Sequence, residues 1–410
     1  MKKLFVIFLV LTSLRTFSQF NEIVTPGALK SLKKTDYGVL IKAEHATLQI
    51  FNYANNVVRF RMAKELNTDD FSYAVIQKPA GNFQKIDEQK DFWQLLTDSL
   101  TIEIGKSPLY IRIKDSRGNI LSEDYEGIPV TWQGTEVTAN KKLFADEKFI
   151  GLGEKTGPLN RRGEKYENWN TDAPAYLANQ DPLYNTIPFY MGIHGTSTYG
   201  IFLDNSFRTK FNFGASTDDQ FSSFSAANGE LNYYFFGATT IAGIISDYTW
   251  LTGRIKMPPY WSLGYQQCRW SYYPETEVLS IAQSFRDKKI PCDVLYLDID
   301  YMDSYKIFTW NNTKFPDPKG MISKLNSMGF HLVTIVDPGI KVEKGYHSYE
   351  EGVAKDYFVK YPGGKLYIGS VWPGRCHFPD FTKEATRNWW GNSFKALIDP
   401  GVEGFWNDMN

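Results

Sequence analysis

Hydrophobic and polar positions divide the chain into two parts with different patterns. Up to about residue 252, short runs rich in Val, Ile, Tyr and Phe alternate with turn-forming residues such as 115–118 and 227–229. Short runs closed by Gly, Asn, Asp or Ser are typical of strands in an all-β domain. The clearest predicted strands are 46–51, 56–62, 100–104 and 109–114. We therefore predict an N-terminal all-β sandwich over residues 20–253.

Residues 157–184 interrupt this pattern with a long stretch of polar and aromatic residues. The stretch follows residues 151–154 (GLGE) and contains Tyr166, Trp169, Asp172 and Tyr176. Long loops without secondary structure are usually functional or disordered, and the aromatic residues argue against disorder. Two interpretations stay open and are compatible: a functional loop, or a loop that packs onto the next domain.

Beyond residues 257–259 (MPP), the pattern changes to apolar strands that alternate with helices. The predicted strands are 261–268, 293–299, 331–336 and 402–406, and the predicted helices are 274–288, 318–328 and 382–397, with an insertion at 339–381. This alternation indicates a parallel sheet that is buried on both faces. We predict that residues 254–410 form the N-terminal half of a (β/α)8 barrel, with about four β/α units.

The first residues have the composition of a targeting signal. Lys2 and Lys3 precede an apolar run at 4–11 and small residues at 12–18. We predict a secretory signal peptide over residues 1–19, and hence a secreted or periplasmic protein. The apolar run is too short to span a bilayer, so we expect no membrane span after the signal is removed.

Composition and charge narrow the function classes. The chain has 410 residues with a formal net charge of -1, and its 45 basic and 46 acidic residues are well mixed, so no basic stripe indicates a nucleic-acid partner. Aromatic content is 16%, which fits a carbohydrate binder and a β-rich core equally well. Three cysteines do not make a disulfide framework, and we expect Cys268 and Cys292 to be small core residues.

Carboxylates follow three of the predicted parallel strands. Asp298 and Asp300, Asp337 and Asp408 come where the second, third and fourth strands end. In a (β/α)8 barrel these ends form the active-site face, and glycosidic bond cleavage needs two nearby carboxyl groups. A lone Asp can also simply open a turn, and an Asp-rich rim can bind Mg²⁺. Few histidines lie nearby, which disfavours zinc and iron. We predict no metal and no cofactor.

Seven motifs in order carry a resemblance to a known family. They are 264–272 (GYQQCRWSY), 296–302 (YLDIDYM), 315–318 (FPDP), 335–340 (IVDPGI), 371–374 (VWPG), 378–381 (FPDF) and 406–410 (WNDMN). This set resembles glycoside hydrolase family 31, and within it the α-glucosidases. Residues 151–154 and 168–172 (NWNTD) resemble the family's N-terminal galactose mutarotase-like sandwich, so the resemblance covers essentially all of the chain after the signal.

The resemblance implies a retaining exo-acting α-glucosidase that releases terminal glucose from α-linked oligosaccharides or glucans. It implies that Asp408 is the nucleophile and that Asp172 and Asp298 bind sugar hydroxyls. It also implies apolar walls around the sugar and two carboxylates, Asp300 and Asp337, that orient their neighbours. The expected wall residues are Ile299, Ile335, Trp372, Trp406 and Met409.

The chain departs from the family pattern at its end. The pattern continues with Glu-Pro, the later barrel strands, an Arg, the acid/base Asp and a His, and these do not follow Asp408 here. We therefore expect a fragment that lacks the acid/base and is inactive alone. Two alternatives remain open: an α-glucan lyase on the same scaffold, and a non-catalytic carbohydrate-binding protein.

Overall fold

The computed structural model describes residues 22–67 and 69–409, and the predicted signal peptide at 1–19 lies outside them. The chain divides into two compact units between Ile255 and Lys256. Within the described part of the chain, no helix is both long and apolar enough to cross a membrane.

The described residues of the first unit form nineteen strands in three antiparallel sheets. The strands are β1 (Ile23–Val24), β2 (Leu29–Thr35), β3 (Gly38–Ala43), β4 (Thr47–Ala54), β5 (Val57–Ala63), β6 (Lys85–Glu88), β7 (Phe92–Leu96), β8 (Leu100–Gly105), β9 (Ile111–Asp115), β10 (Ile120–Glu123), β11 (Val130–Gln133), β12 (Glu136–Lys142), β13 (Lys148–Gly151), β14 (Lys165–Asn168), β15 (Phe189–His194), β16 (Ser197–Leu203), β17 (Thr209–Asn212), β18 (Phe221–Ala226) and β19 (Leu231–Phe236). The sheet orders are β13-β15-β16-β19-β5-β4-β3-β2, β1-β11-β12-β18-β17-β14 and β10-β9-β8-β7-β6. The predicted β-sandwich is confirmed.

The centre of the eight-stranded sheet is buried on both faces. Along β19, Tyr233 and Phe235 join the main core of the sandwich, while Tyr234 and Phe236 join a second cluster on the opposite face. Successive side chains of a strand point to opposite faces, so the continuous apolar run of β19 fills two cores at once.

One helix lies where the sequence predicted only strands, and this prediction was wrong. Helix α1 (Ile241–Thr252) begins at Thr240, whose hydroxyl accepts a hydrogen bond from the Gly243 amide at 3.1 Å. Its Ile244 and Leu251 are buried in the second cluster. The N-cap and this packing favour a helix, although the Ile-rich run has the composition of a strand.

The stretch 157–184, predicted as a loop, contains strand β14, which pairs with β17 from Asn168 opposite Thr209. Tyr166 on this strand is buried in the sandwich core, whereas Trp169 and Tyr176 beyond it are exposed. The strand was missed because its four residues, KYEN, are mostly polar.

The second unit contains a four-stranded parallel sheet, β20 (Gln266–Gln267), β21 (Val294–Leu297), β22 (His331–Val336) and β26 (Gly404–Asn407), in that order. The described part of this unit also contains the α-helices α2 (Glu275–Asp287), α3 (Pro318–Ser327), α4 (His347–Ala354), α5 (Glu384–Ser393) and α6 (Lys395–Ile398), and a small antiparallel sheet of β23 (Ile340–Lys341), β25 (Gly374–His377) and β24 (Gly369–Val371). Strands that alternate with helices in a parallel sheet confirm a partial (β/α)8 barrel.

The first barrel strand differs most from its prediction. The predicted strand 261–268 is a short 3-10 helix, Tyr260–Leu263, followed by the two-residue strand β20. The Ser262 hydroxyl donates to the Pro259 carbonyl at 2.7 Å, which stabilises the helical turn. All three cysteines are free thiols; Cys292 is buried as predicted, but Cys268 is exposed, so its prediction as a core residue was wrong.

The carboxylate edge of the barrel unit: candidate active site

Three adjacent parallel strands place a carboxylate at the same edge of the sheet. Asp298, Asp337 and Asp408 each follow the last residue of β21, β22 and β26. The register pairs Leu297 with Thr334 and Val336 with Asn407. Asp337 and Asp408 therefore lie at the same level, and Asp298 lies two residues lower, or roughly 6–7 Å along the strand direction. We call these three residues the carboxylate edge.

Asp337 is the most buried member of the carboxylate edge, at 4% exposure. Its Oδ1 has no hydrogen-bond partner among the described residues. Burial, and then the negative charges of Asp408 and Asp298, raise the pKa of Asp337 to about 7. The carboxyl group is thus suited to hold a proton near neutral pH.

Asp298 is partly exposed and is held by its own turn. Its Oδ1 accepts a hydrogen bond from the Ile299 amide at 2.7 Å. Burial raises the pKa of Asp298, and the nearby charges of Asp300 and Asp408 act in the same direction. The neighbouring carboxylates therefore raise the pKa of Asp298 as well as that of Asp337.

Asp300 differs because its charge has a partner. It is buried, and Lys314 Nζ lies 3.2 Å from its Oδ1. The same ammonium group lies 3.7 Å from the ring centroid of Tyr273, a favourable cation–π distance. Sequence reasoning missed Lys314, although it directly precedes the motif at 315–318.

Asp408 is partly exposed at the end of β26. Its Oδ1 accepts a hydrogen bond from the Met409 amide at 2.9 Å, and Met409 has a left-handed φ of 58°. The local geometry is that of an Asp that caps a turn. This geometry fixes the carboxylate beside Asp337, and it is compatible with a chemical role.

The five predicted wall residues have different surroundings. Ile299 and Ile335 are buried in the hydrophobic core of the unit, at 3% and 1% exposure. Trp406 packs edge-on against Tyr296 at a centroid distance of 6.3 Å. Trp372 and Met409 are exposed, and the Trp372 ring lies 6.1 Å from that of Trp270. Their roles as sugar contacts stay predictions.

Asp172 lies in the first unit and is exposed. It follows strand β14 by four residues, and the hydroxyl of the preceding Thr171 donates to the Trp169 carbonyl at 2.8 Å. Its predicted contact with substrate stays a prediction.

Two other properties of the described residues concern ligands. In residues 22–67 and 69–409, no three or more His, Cys, Asp or Glu side chains are grouped so that they could hold a metal ion. A cavity of about 760 Å³ in the second unit is lined by residues such as Asp303, Glu351 and Trp389, and none of the carboxylate edge lines it. The carboxylate edge is therefore defined by its converging charged groups.

Comparisons with known proteins agree with this architecture. Residues 255–410 match the glycosyl hydrolases family 31 TIM-barrel domain, and residues 47–212 match the glycosyl hydrolase 31 N-terminal galactose mutarotase-like domain. The chain belongs to glycoside hydrolase family 31. The resemblance seen in the sequence motifs is thereby confirmed.

Relatives in family 31 include several α-glucosidases. The chain is 40% identical over 387 residues to alpha-glucosidase 2 of Bacillus thermoamyloliquefaciens, covering 94% of this chain and 49% of the relative. It is 36% identical over 284 residues to an alpha-glucosidase of Saccharolobus solfataricus, covering 69% of this chain and 40% of that protein. The chain thus spans about half the length, or less, of these curated relatives.

A solved family 31 structure is also similar. The structure of a dextranase from Flavobacterium johnsoniae complexed with glucose matches with a TM-score of 0.88 and 35% identity, covering 94% of this chain and 48% of the dextranase. Similarity over nearly all of this chain supports the pairing of a sandwich with a barrel unit in one protein.

Proposed function

We propose that this chain provides the sandwich and the first barrel strands of a retaining exo-acting α-glucosidase. The enzyme would release terminal glucose from α-linked oligosaccharides or glucans. The observation that carries the proposal is the carboxylate edge, where Asp298, Asp337 and Asp408 follow three adjacent parallel strands. The α-glucosidases among its relatives support the choice of substrate class.

Asp408 is the proposed nucleophile because of how it differs from the other carboxylates. A retaining glycosidase forms a covalent glycosyl-enzyme through a carboxylate that must reach the anomeric carbon. Asp300 is paired with Lys314, and the buried Asp337 favours its protonated form. Asp408 is partly exposed at the strand end, where its carboxylate can face a bound sugar.

We propose that none of the other carboxylates on these strands is the proton donor of this mechanism. In a retaining enzyme the donor faces the nucleophile across the glycosidic bond, about 5 Å away. Asp298, Asp300 and Asp337 lie on strands beside Asp408, where they are better placed to bind sugar hydroxyls or to orient neighbouring groups. The donor would come from barrel strands that follow this chain in the family pattern.

The binding of glucose would combine charged and apolar contacts. Asp298 and Asp172 would accept hydrogen bonds from sugar hydroxyls. Trp372, Trp406 and Met409 would offer the apolar surface that packs against the C–H faces of the sugar. We also propose that residues 1–19 direct the protein to secretion or to the periplasm, where glucans or oligosaccharides would be encountered.

A second candidate is cleavage of α-glucan chains by a dextranase-type activity. The similarity to the Flavobacterium johnsoniae dextranase favours it. A structure of a mutant of that dextranase, complexed with isomaltotriose, also matches with a TM-score of 0.88. The carboxylate edge would serve both activities, since they differ in which linkage and which part of the chain are bound.

Product analysis tests these proposals. The complete enzyme that contains this chain is incubated with maltose, isomaltose, dextran and an aryl α-glucoside, and the products are followed by NMR. Release of glucose that is initially α-configured supports a retaining exo-acting glucosidase. Oligosaccharides from dextran support the second candidate. A dehydrated sugar product indicates a lyase, and β-glucose as the first product would exclude retention.

A further inference from the structure

The second unit contains a cavity of about 760 Å³ that no residue of the carboxylate edge lines. Its walls come from helix α4, from helices α5 and α6, and from the segment 303–309. We call it the α4–α5 cavity. Its volume lies within the roughly 300–1,000 Å³ range of small-molecule pockets. The cavity and the carboxylate edge belong to the same unit, and their lining residues differ.

One wall of the α4–α5 cavity is a stripe of small and amide side chains along α5 and α6. The stripe recurs every three or four residues, which is the spacing of one helix face. It consists of Ala385, Asn388, Asn392 and Ala396. All four residues are exposed, so a ligand in the cavity can reach them. Each of the two amides offers a hydrogen-bond donor and an acceptor.

The two asparagines are not explained by the stability of helix α5. Asn is a weaker helix former than Ala, Leu, Glu or Lys, which suit exposed helix positions better. The buried residues of α5 are Thr386 and Trp389, so Asn388 and Asn392 add nothing to the core. Residues that go against a local preference without a packing role are expected at functional sites. The two amides are therefore candidates for ligand contacts.

An accessible aromatic ring lies beside these amides. Tyr357 lines the cavity and is partly exposed. Its ring centroid lies 5.1 Å from that of Trp389, whose indole N–H donates to Glu351 at 2.9 Å. The buried Trp389 thus supports the Tyr357 ring from behind. An aromatic face next to hydrogen-bonding groups suits a ligand that has both C–H faces and hydroxyl groups.

The charged groups around the α4–α5 cavity are paired with one another. Lys306 Nζ lies 2.7 Å from Asp303 and 3.1 Å from Glu343. On helix α4, Lys355 Nζ lies 2.7 Å from Glu351. A charged ligand would have to compete with these ion pairs, whereas a neutral polyol would not. The lining therefore favours a neutral ligand.

We propose that the α4–α5 cavity binds a short neutral glycan, of one or two sugar residues, at a second site on the barrel unit. Asn388 and Asn392 would donate to some hydroxyl groups and accept from others, while Tyr357 would contact a C–H face of the sugar. Such a site would hold a glycan at a point other than the one where it is cleaved. The inference goes beyond the proposed catalytic function and does not depend on Asp408.

Titration of the complete protein with glucose tests this site, with glucose 6-phosphate as the charged comparator. The double variant of Asn388→Ala and Asn392→Ala removes both amides, and Ala385→Trp fills the cavity without removing a polar group. We expect each of these two proteins to bind glucose about tenfold or more weakly at one site, because hydrogen bonds are lost in the first and space is lost in the second. Gln283→Ala is the matched control, since it removes an exposed amide from helix α2, which does not line the cavity. It should bind glucose as the wild type does.

Thermal stability and activity complete the test. Without sugar, the double variant should melt at the same temperature as the wild type or slightly higher, because Ala is a better helix former than Asn. Hydrolysis of an aryl α-glucoside should be unchanged in the double variant and in Ala385→Trp. The proposal is overturned if either of these proteins binds glucose as the wild type does, if the phosphorylated sugar binds more tightly, or if hydrolysis falls together with binding. The last result would make the cavity part of the site where the substrate is cleaved.

Discussion

Asp337 and Asp408 lie side by side on parallel strands, since each directly follows one member of the register pair Val336 and Asn407. Neighbouring strands of a sheet are about 4.8 Å apart. Asp337 is buried, and its Oδ1 has no hydrogen-bond partner in the part of the chain that the structure describes, whereas Asp408 is partly exposed and caps its own turn. The two carboxyl groups therefore have different environments at the carboxylate edge. The environment of Asp337 favours a bound proton, and that of Asp408 leaves its carboxylate accessible to a substrate.

The first prediction concerns the pH dependence of stability. Asp337 has its pKa raised to about 7 from its ordinary value of 3.8 in the native state. Because the pKa of Asp337 is raised in the native state, protonation of this carboxyl group favours the folded protein. This contribution to stability is complete below about pH 4 and is lost as the pH rises through about 7. Asp337→Asn cannot ionise and should lose less stability over this range.

The measurement for Asp337 is the melting temperature from pH 4 to pH 8 for the wild type and Asp337→Asn. Asp36→Asn, at an exposed position in the hairpin between β2 and β3, serves as the control and should follow the wild type. Parallel curves for the wild type and Asp337→Asn would contradict the raised pKa.

The second prediction separates the two tryptophans near the carboxylate edge. Trp372 is exposed, so Trp372→Ala should weaken the binding of glucose-type inhibitors with little change in melting temperature. Trp406 packs against the core of the unit and against Tyr296, so Trp406→Ala should weaken inhibitor binding and also lower the melting temperature. Calorimetry and inhibitor titration check this, and it is contradicted if inhibitors bind both folded variants as they bind the wild type.

The third prediction concerns Asp172 in the sandwich unit. Asp172→Ala should lower kcat/KM by about tenfold or more, because hydrogen bonds to a charged group are worth roughly 1.5–3 kcal/mol. Asp36→Ala provides an exposed carboxylate control in the same unit and should leave kcat/KM unchanged. Native kinetics in Asp172→Ala with an unchanged melting temperature would remove Asp172 from the substrate-binding residues.

The fourth prediction concerns the ion pair between the buried Asp300 and the partly exposed Lys314. Lys314→Met leaves the buried Asp300 carboxylate without its partner and should destabilise the protein by about 1–3 kcal/mol. The double variant with Asp300→Asn should recover part of this loss, since no unpaired charge remains. Chemical denaturation measures both. If the double variant is as unstable as Lys314→Met, the loss comes from packing and not from the charge.

Local patterns in the sequence predicted much of the architecture. The apolar run His331–Val336 predicted β22 residue by residue, and Pro318 with Gly329 bounded α3 because their backbone preferences start and stop a helix. Helix α1 was not predictable from its Ile-rich run, because its buried face packs in a cluster with Tyr53 and Val57, which lie far earlier in the sequence.

The positions of the carboxylates were also predictable, and their environments were not. Asp298, Asp337 and Asp408 follow apolar runs, and such positions meet at one edge of a parallel sheet. The partner of Asp300 lies fourteen residues away in a loop. This pairing leaves no periodic signal in the chain.

Covalent trapping tests whether Asp408 is the nucleophile of a retaining α-glucosidase. The complete enzyme is inactivated with 5-fluoro-α-D-glucosyl fluoride, digested, and the labelled residue is identified by mass spectrometry. We expect a single label on Asp408 and no label in Asp408→Asn. A label on Asp298, Asp300 or Asp337, or a label that persists in Asp408→Asn, would contradict it.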